Sequence, residues 1–215
     1  MLNNIKAAIF DLDGTLVDSM GLWEKIDIDY LNAIGHEKPE NLKEAINHLS
    51  FKQTAVYFKE RFNIEDSLEV IMDTWHTMAY SEYKNNVKLK VGAKEFLEKL
   101  KNNGIKIGLA TSNSMPLLEV CLKSNGIYDL FDTITVTAEA KRDKSFPDVY
   151  LLSANKLNIN PENCIVFEDI LPAVQGAKSA GMKVVAVEDL FVTERDRQAL
   201  KIEAHYYIKD YTSII

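Results

Sequence analysis

The chain has 215 residues, 47% apolar and 27% charged, proportions of a globular protein long enough for one or two domains. Its formal net charge of −7 argues against a duplex nucleic acid or an anionic membrane surface as partner, since both repel an acidic protein. No apolar run approaches transmembrane length, and Cys121 and Cys164 are unclustered, which suggests neither a zinc site nor a disulfide scaffold; a reducing cytoplasm is the expected setting.

The first strand-like run, residues 5–10, ends in Asp11-Leu12-Asp13-Gly14-Thr15. Residues 18–86 break the strand pattern and carry amphipathic helices instead. One holds Trp23, Ile26, Asp27, Tyr30, Leu31 and Ile34 and stops at Gly35. Another opens at Ser50, with Gln53 in capping-box position, and a third runs roughly over residues 67–83. The aromatics of this interval, Trp23, Tyr30, Tyr57, Phe58, Trp75, Tyr80 and Tyr83, read as the core of an inserted bundle placed to cover a pocket.

Beyond it, strand-like runs at 105–110, 133–136, 164–167, 183–187 and 204–208 alternate with helical patterns. That order predicts crossover connections and an α/β fold: a doubly wound, mostly parallel Rossmann-like sheet with an inserted α-helical cap. The core domain is expected over 1–17 and 87–215, the cap over 18–86. The charged segment at 189–201 reads as a solvated helix capped by Thr193.

Chemistry-bearing residues gather where strands end, which is where ligands bind in α/β sheets. Asp11 and Asp13 stand just past the first strand; two close carboxylates repel unless they share a divalent cation or a proton. Thr111-Ser112-Asn113-Ser114 ends the second main strand. Its hydroxyls and backbone N–H groups suit an anion, although taken alone Ser and Asn there read first as ordinary helix caps. Lys141-Arg142-Asp143-Lys144 puts cations in a loop before a helix; such a run is usually a solvated loop, but one lysine there could neutralise charge on a transferring phosphoryl group. Cys164-Ile165-Val166-Phe167 terminates in Glu168-Asp169, oxygen ligands suited to a hard cation such as Mg2+.

This ordered set resembles the haloacid dehalogenase-like hydrolase superfamily over essentially the whole chain. The helical interval after the first motif resembles the small helical cap of phosphoglycolate phosphatase- and β-phosphoglucomutase-like members. The resemblance implies Asp11 as nucleophile, forming an aspartyl phosphate and contacting metal, and Asp13 as the acid and base, with its backbone carbonyl on magnesium. It implies Thr111 as a ligand of the phosphoryl oxygens, with Gly14, Thr15, Ser112, Asn113 and the cap residue Trp23 as further phosphate- or substrate-binding positions. Lys144 matches the loop lysine, because Pro147-Asp148 and Tyr150 follow at the family's spacing, with Lys141 the competing choice. Asp169 matches the main acidic metal ligand, assisted by Glu168.

Asp13 favours phosphoryl transfer, since the family's dehalogenases lack that acid. A cap-lysine Schiff base, as in phosphonate cleavage, would fall to Lys25 or Lys52. Phosphatase and phosphomutase are the nearer pair. The mutases' hinge histidine is replaced here by Trp23, and Ser50-Phe51 stands near their cap arginine; both departures favour Mg2+-dependent hydrolysis of a small phosphorylated metabolite. A receiver-like, non-catalytic phospho-Asp module would be shorter and would lack the helical interval.

Overall fold

The computed structural model describes residues 1–46, 49, 51–140 and 142–215; Ser50 and Lys141 thus lie outside the described residues. In chain order the elements are β1 (Ala7–Phe10), β2 (Val17–Asp18), α1 (Leu22–Ala33), α2 (Leu42–Ile46), α3 (Phe51–Arg61), α4 (Leu68–Asn85) and β3 (Lys88–Leu89). Then come α5 (Ala93–Asn102), β4 (Lys106–Thr111), α6 (Met115–Ser124), β5 (Thr133–Val136), α7 (Thr137–Ala140) and α8 (Asp148–Leu157). The chain closes with β6 (Cys164–Glu168), α9 (Leu171–Ser179), β7 (Lys183–Val187), α10 (Glu194–Glu203), β8 (Tyr206–Ile208) and a 3-10 turn at Tyr211–Ile214. Contacts divide it into two compact units, one of Met1–Met20 with Val87–Ile215 and one of Gly21–Asn86.

The first unit is built on a six-stranded parallel sheet in the order β5-β4-β1-β6-β7-β8, the doubly wound arrangement expected from the alternation. The four residues of β1 are completely buried, so both faces of this central strand are covered. Ala7 and Ile9 face a cluster with Val166, Val184, Tyr150, Ala154 and Ala177. Phe10, of opposite parity, stacks on Phe167 with centroids 4.5 Å apart, and Phe96 and Tyr211 complete that aromatic layer. Phe10 pairs in register with Phe167 and with Leu109, so Asp11 emerges level with Glu168, one residue past the ladder.

Three features depart from the linear reading. Asp18 does not open the helical interval: Val17 and Asp18 pair antiparallel with Leu89 and Lys88 in a two-stranded ribbon. Such short strands carry too few residues for a periodic signal. Asp189 is not solvated: it is 4% exposed and accepts from Lys90 Nζ at 3.0 Å, while Thr193 caps a helix that starts only at Glu194. A partner 99 positions away decides its burial. The short helix α2 also goes unread in the sequence.

In the second unit, α4 packs against α1 and α3. Tyr30, Phe58, Trp75 and Tyr83 are buried there, as the core reading of these aromatics holds, and Trp75 meets Phe58 and Tyr30 edge-on at 4.9 and 5.6 Å. Trp23, Phe51 and Tyr80 remain 40%, 40% and 44% exposed.

Helix α9 approaches the loop after α7 unusually closely. A Cβ on Gly176 would stand 2.1 Å from the Lys144 carbonyl oxygen and 3.0 Å from that of Phe146. Alanine in a helix gains up to about 1 kcal/mol in propensity over glycine. Gly176→Ala is nonetheless expected to cost a net of about 1–3 kcal/mol by overpacking, lowering the thermal midpoint by roughly 3–10 °C. A midpoint that holds or rises in a calorimetric scan would mean the loop gives way freely.

Candidate active site

Asp11, Glu168 and Asp169 bring carboxylate oxygens within 4.8 Å of one another at the ends of β1 and β6, all three buried. The parallel register puts Asp11 and Glu168 side by side. The chain turn after β6 then aims Asp169 at the same place. Lys144 reaches this group from its loop: Nζ pairs with Asp11 Oδ1 and, at 2.7 Å, with Glu168 Oε1. Tyr150, on the first turn of α8, donates its hydroxyl to that same Oε1 at 2.8 Å. Thr15 donates Oγ1–H to Asp169 Oδ1 at 2.9 Å.

Among the described residues, one ammonium amid three carboxylates leaves a formal charge of −2 in a buried place. Charges so buried are costly unless fully paired. Burial, and then the neighbouring carboxylates, push the Asp11 carboxyl well above its ordinary range against the pull of Lys144. Burial and the Glu168 charge push Asp169 up to about 7. Burial alone would lower Lys144, but Asp11 and Glu168 outweigh it and hold the ammonium above its ordinary value. Among the described residues, Glu168 Oε2 and Asp169 Oδ2 are buried without a hydrogen-bond partner. Two orphaned anionic oxygens beside a third carboxylate, with a charge deficit of two, fit a divalent cation held by oxygen ligands.

The Asp13 carboxylate is not one of these three, although its charge acts on Asp11. It accepts from Ser19 Oγ at 2.6 Å and from Asn113 Nδ2 at 2.9 Å. The chain reaches Ser19 by turning back after Gly14, whose N–H donates to the Val17 carbonyl at 3.0 Å. Gly14 has φ +80°, and a Cβ there would lie 2.3 Å from Asp169 Oδ2, so a side chain is excluded by conformation and by the carboxylate alike.

The remaining expected residues fall as follows. Thr111 is buried at the end of β4, and its Oγ1 accepts from the Asn113 N–H at 3.0 Å. Ser112 is exposed. Thr15, expected at the phosphate, is wholly buried with its hydroxyl committed to Asp169, so it supports a carboxylate. Trp23 belongs to the helical unit. There Lys25 is exposed and tied to Asp29 and Glu82, and Lys52 is exposed as well, so neither shows the burial that depresses the pKa of an imine-forming lysine.

Sequence reasoning missed Ser19 and the Tyr150 hydroxyl. Ser19 has no motif to mark it, since only the turn back through Val17 brings it to Asp13. Tyr150 was visible as a helix core position six residues after Lys144, but its polar end was not.

The haloacid dehalogenase-like hydrolase family model matches residues 8–187. The "Phosphorylated carbohydrates phosphatase" of Thermotoga maritima is 31% identical over 179 residues, covering 83% of each chain. "Hexitol phosphatase B" of Escherichia coli is 29% identical over 189 residues, covering 85% of this chain and 83% of its own. Among solved structures, the β-phosphoglucomutase of Clostridium difficile superposes with a TM-score of 0.73 at 25% identity, covering 98% of this chain and 93% of its own. By the extent of the family match and the strand-end acids it encloses, the chain belongs to the haloacid dehalogenase-like hydrolases.

Proposed function

We propose that this protein is a Mg2+-dependent phosphatase that hydrolyses a small phosphorylated metabolite, a phosphorylated carbohydrate first among them, through an aspartyl phosphate on Asp11. The observation that carries this reading is the buried Asp11–Glu168–Asp169 group with Lys144 set between two of its members. The phosphatase names of the Thermotoga and Escherichia relatives support the substrate class.

A carboxylate attacks a phosphate dianion poorly because like charges repel. Lys144, paired with Asp11, offsets part of that repulsion and holds the attacking group in place. Bound magnesium would supply the rest, neutralising charge shared by Asp11, Glu168, Asp169 and the phosphoryl oxygens. Asp11 forms the new O–P bond as the ester O–P bond breaks, and Asp13 gives its proton to the departing alkoxide oxygen. Asp13 then takes a proton from the water that attacks phosphorus, releasing inorganic phosphate and freeing Asp11. Ser19 and Asn113 hold the Asp13 carboxylate, which supports giving it the proton transfers while its backbone carbonyl joins the ligands of the cation. The Thr111 and Ser112 N–H and hydroxyl groups at the mouth of α6 would receive the phosphoryl oxygens.

The second reading, a sugar phosphomutase, draws on the likeness to the Clostridium structure. Trp23 in place of a hinge histidine opposes it. Incubation with β-glucose 1-phosphate separates the two: a phosphatase yields glucose and inorganic phosphate, a mutase yields glucose 6-phosphate.

Asp11→Asn is expected to lower turnover of an aryl phosphate by at least ~10³-fold, and chelation to abolish it. Retained phosphate release under both conditions would overturn the assignment.

The carboxyl shifts also set a pH dependence. Asp169 has a folded-state pKa of about 7 against an ordinary 3.8. The metal-free folded protein therefore binds a proton there that the unfolded chain has lost. This contribution to stability is full below about 4 and disappears as pH rises through about 7. A cation competes with that proton. The rise in thermal midpoint on adding MgCl2 is expected to be small at pH 5.5 and clearly larger at pH 8; a rise independent of pH would show that these carboxylates do not take the metal.

A further inference from the structure

Among the described residues, Glu168 is held by two donors on one oxygen and by none on the other: Lys144 Nζ lies 2.7 Å from Oε1 and the Tyr150 hydroxyl 2.8 Å from the same atom, while Oε2 is buried without a described hydrogen-bond partner. A carboxylate with a single donor pivots about Cβ–Cγ and Cγ–Cδ, and Lys144 has four flexible carbons and a competing partner in Asp11. The Tyr150 ring is different. It is fully buried among Ala7, Ile9, Val166 and Ala154, so its hydroxyl has a fixed origin.

We propose that Tyr150 is a positioning residue for the cation site: its hydroxyl occupies Glu168 Oε1 and thereby presents Oε2 to the metal beside Asp169. The inference rests on the cation-binding reading above and adds a division of labour within one carboxylate. Oε1, already accepting two donors, balances Lys144; Oε2, the orphan, serves the cation. Outer partners that orient a ligating carboxylate commonly govern metal affinity as strongly as some ligands do. A phenolic hydroxyl is suited to this because it adds no charge to a site whose net charge the cation must meet. A phenol of ordinary pKa, about 10, is a donor at neutral pH.

The test compares wild type with Tyr150→Phe, which keeps the ring that fills the core and removes only the hydroxyl. Tyr207→Phe is the control, because Tyr207 donates to Glu188 Oε2 at 2.9 Å, a tyrosine–glutamate bond of the same kind whose glutamate is not one of the three carboxylates. Binding of Mn2+ to the metal-free proteins is measured by electron paramagnetic resonance titration, and the Mg2+ dependence of aryl phosphate hydrolysis in parallel. Tyr150→Phe is expected to weaken Mn2+ binding by ~10-fold or more and to raise the Mg2+ concentration for half-maximal rate by a similar factor. The rate at saturating Mg2+ should recover, and Tyr207→Phe should bind Mn2+ as wild type does.

Unchanged Mn2+ affinity in Tyr150→Phe would overturn the proposal while leaving the cation site standing. A merely structural role is equally excluded by the expected result, since it would lower the maximal rate or the metal-free thermal midpoint without moving the metal dependence. Failure of wild type itself to bind Mn2+ would overturn the cation-binding reading and this inference with it.

Discussion

Buried negative charge in excess of its counter-charge is the constraint around which the catalytic unit is arranged. Asp11, Glu168 and Asp169 sit together with one ammonium among the described residues, that of Lys144. Removing such groups from water costs several kcal/mol per ion unless partners replace the lost hydration. Every nearby feature supplies part of that replacement: the Thr15 hydroxyl on Asp169, the Tyr150 hydroxyl on Glu168, and Lys144 across two carboxylates. What remains unmet, two anionic oxygens without donors among the described residues, has the charge and hardness of a divalent metal site.

The scaffold makes this arrangement rigid. β1 is central, buried on both faces and in register with β4 and β6, so the acids leave the sheet at one level. Beneath them the Phe10–Phe167 stack, with Phe96 and Tyr211, forms a dry floor, and the Tyr211 hydroxyl donates to the Thr15 carbonyl at 3.2 Å. Where backbone must pass close to a functional group, glycine is used: Gly14 against Asp169, and Gly176 against the carbonyl of Lys144. The closeness of these contacts explains how a loop lysine can serve a site that demands fixed geometry.

Asp13 shows the same economy in reverse. Only two residues from Asp11, its carboxylate is turned to Ser19 and Asn113 and is not one of the three acids that lie together. Two acids of one short motif thus occupy different environments, which is how one sequence motif can hold carboxylates of different proton affinity. The aromatic residues of the helical unit divide similarly. Tyr30, Phe58, Trp75 and Tyr83 form its core, while Trp23 and Phe51 meet edge-on at 5.7 Å and remain partly exposed.

The sequence by itself determined the parallel α/β architecture, the helical interval and the residue types at each strand end. These depend on short-range patterns: apolar runs of four to six residues, helical spacing, glycine stops and acids that follow a strand directly. Only the tertiary structure decided which oxygen meets which donor. Strand register brings Glu168 beside Asp11, and loop closure across 24 positions delivers Lys144 to Glu168. A helix face turns Tyr150 toward the same oxygen, and Lys90 buries Asp189 from 99 positions away. Thr15 shows the difference most plainly, since its place in the motif suggested the phosphate and its burial assigns its hydroxyl to Asp169. Local sequence fixes what a residue can donate or accept; the partner it finds is set by packing between elements distant in the chain, which no local pattern encodes.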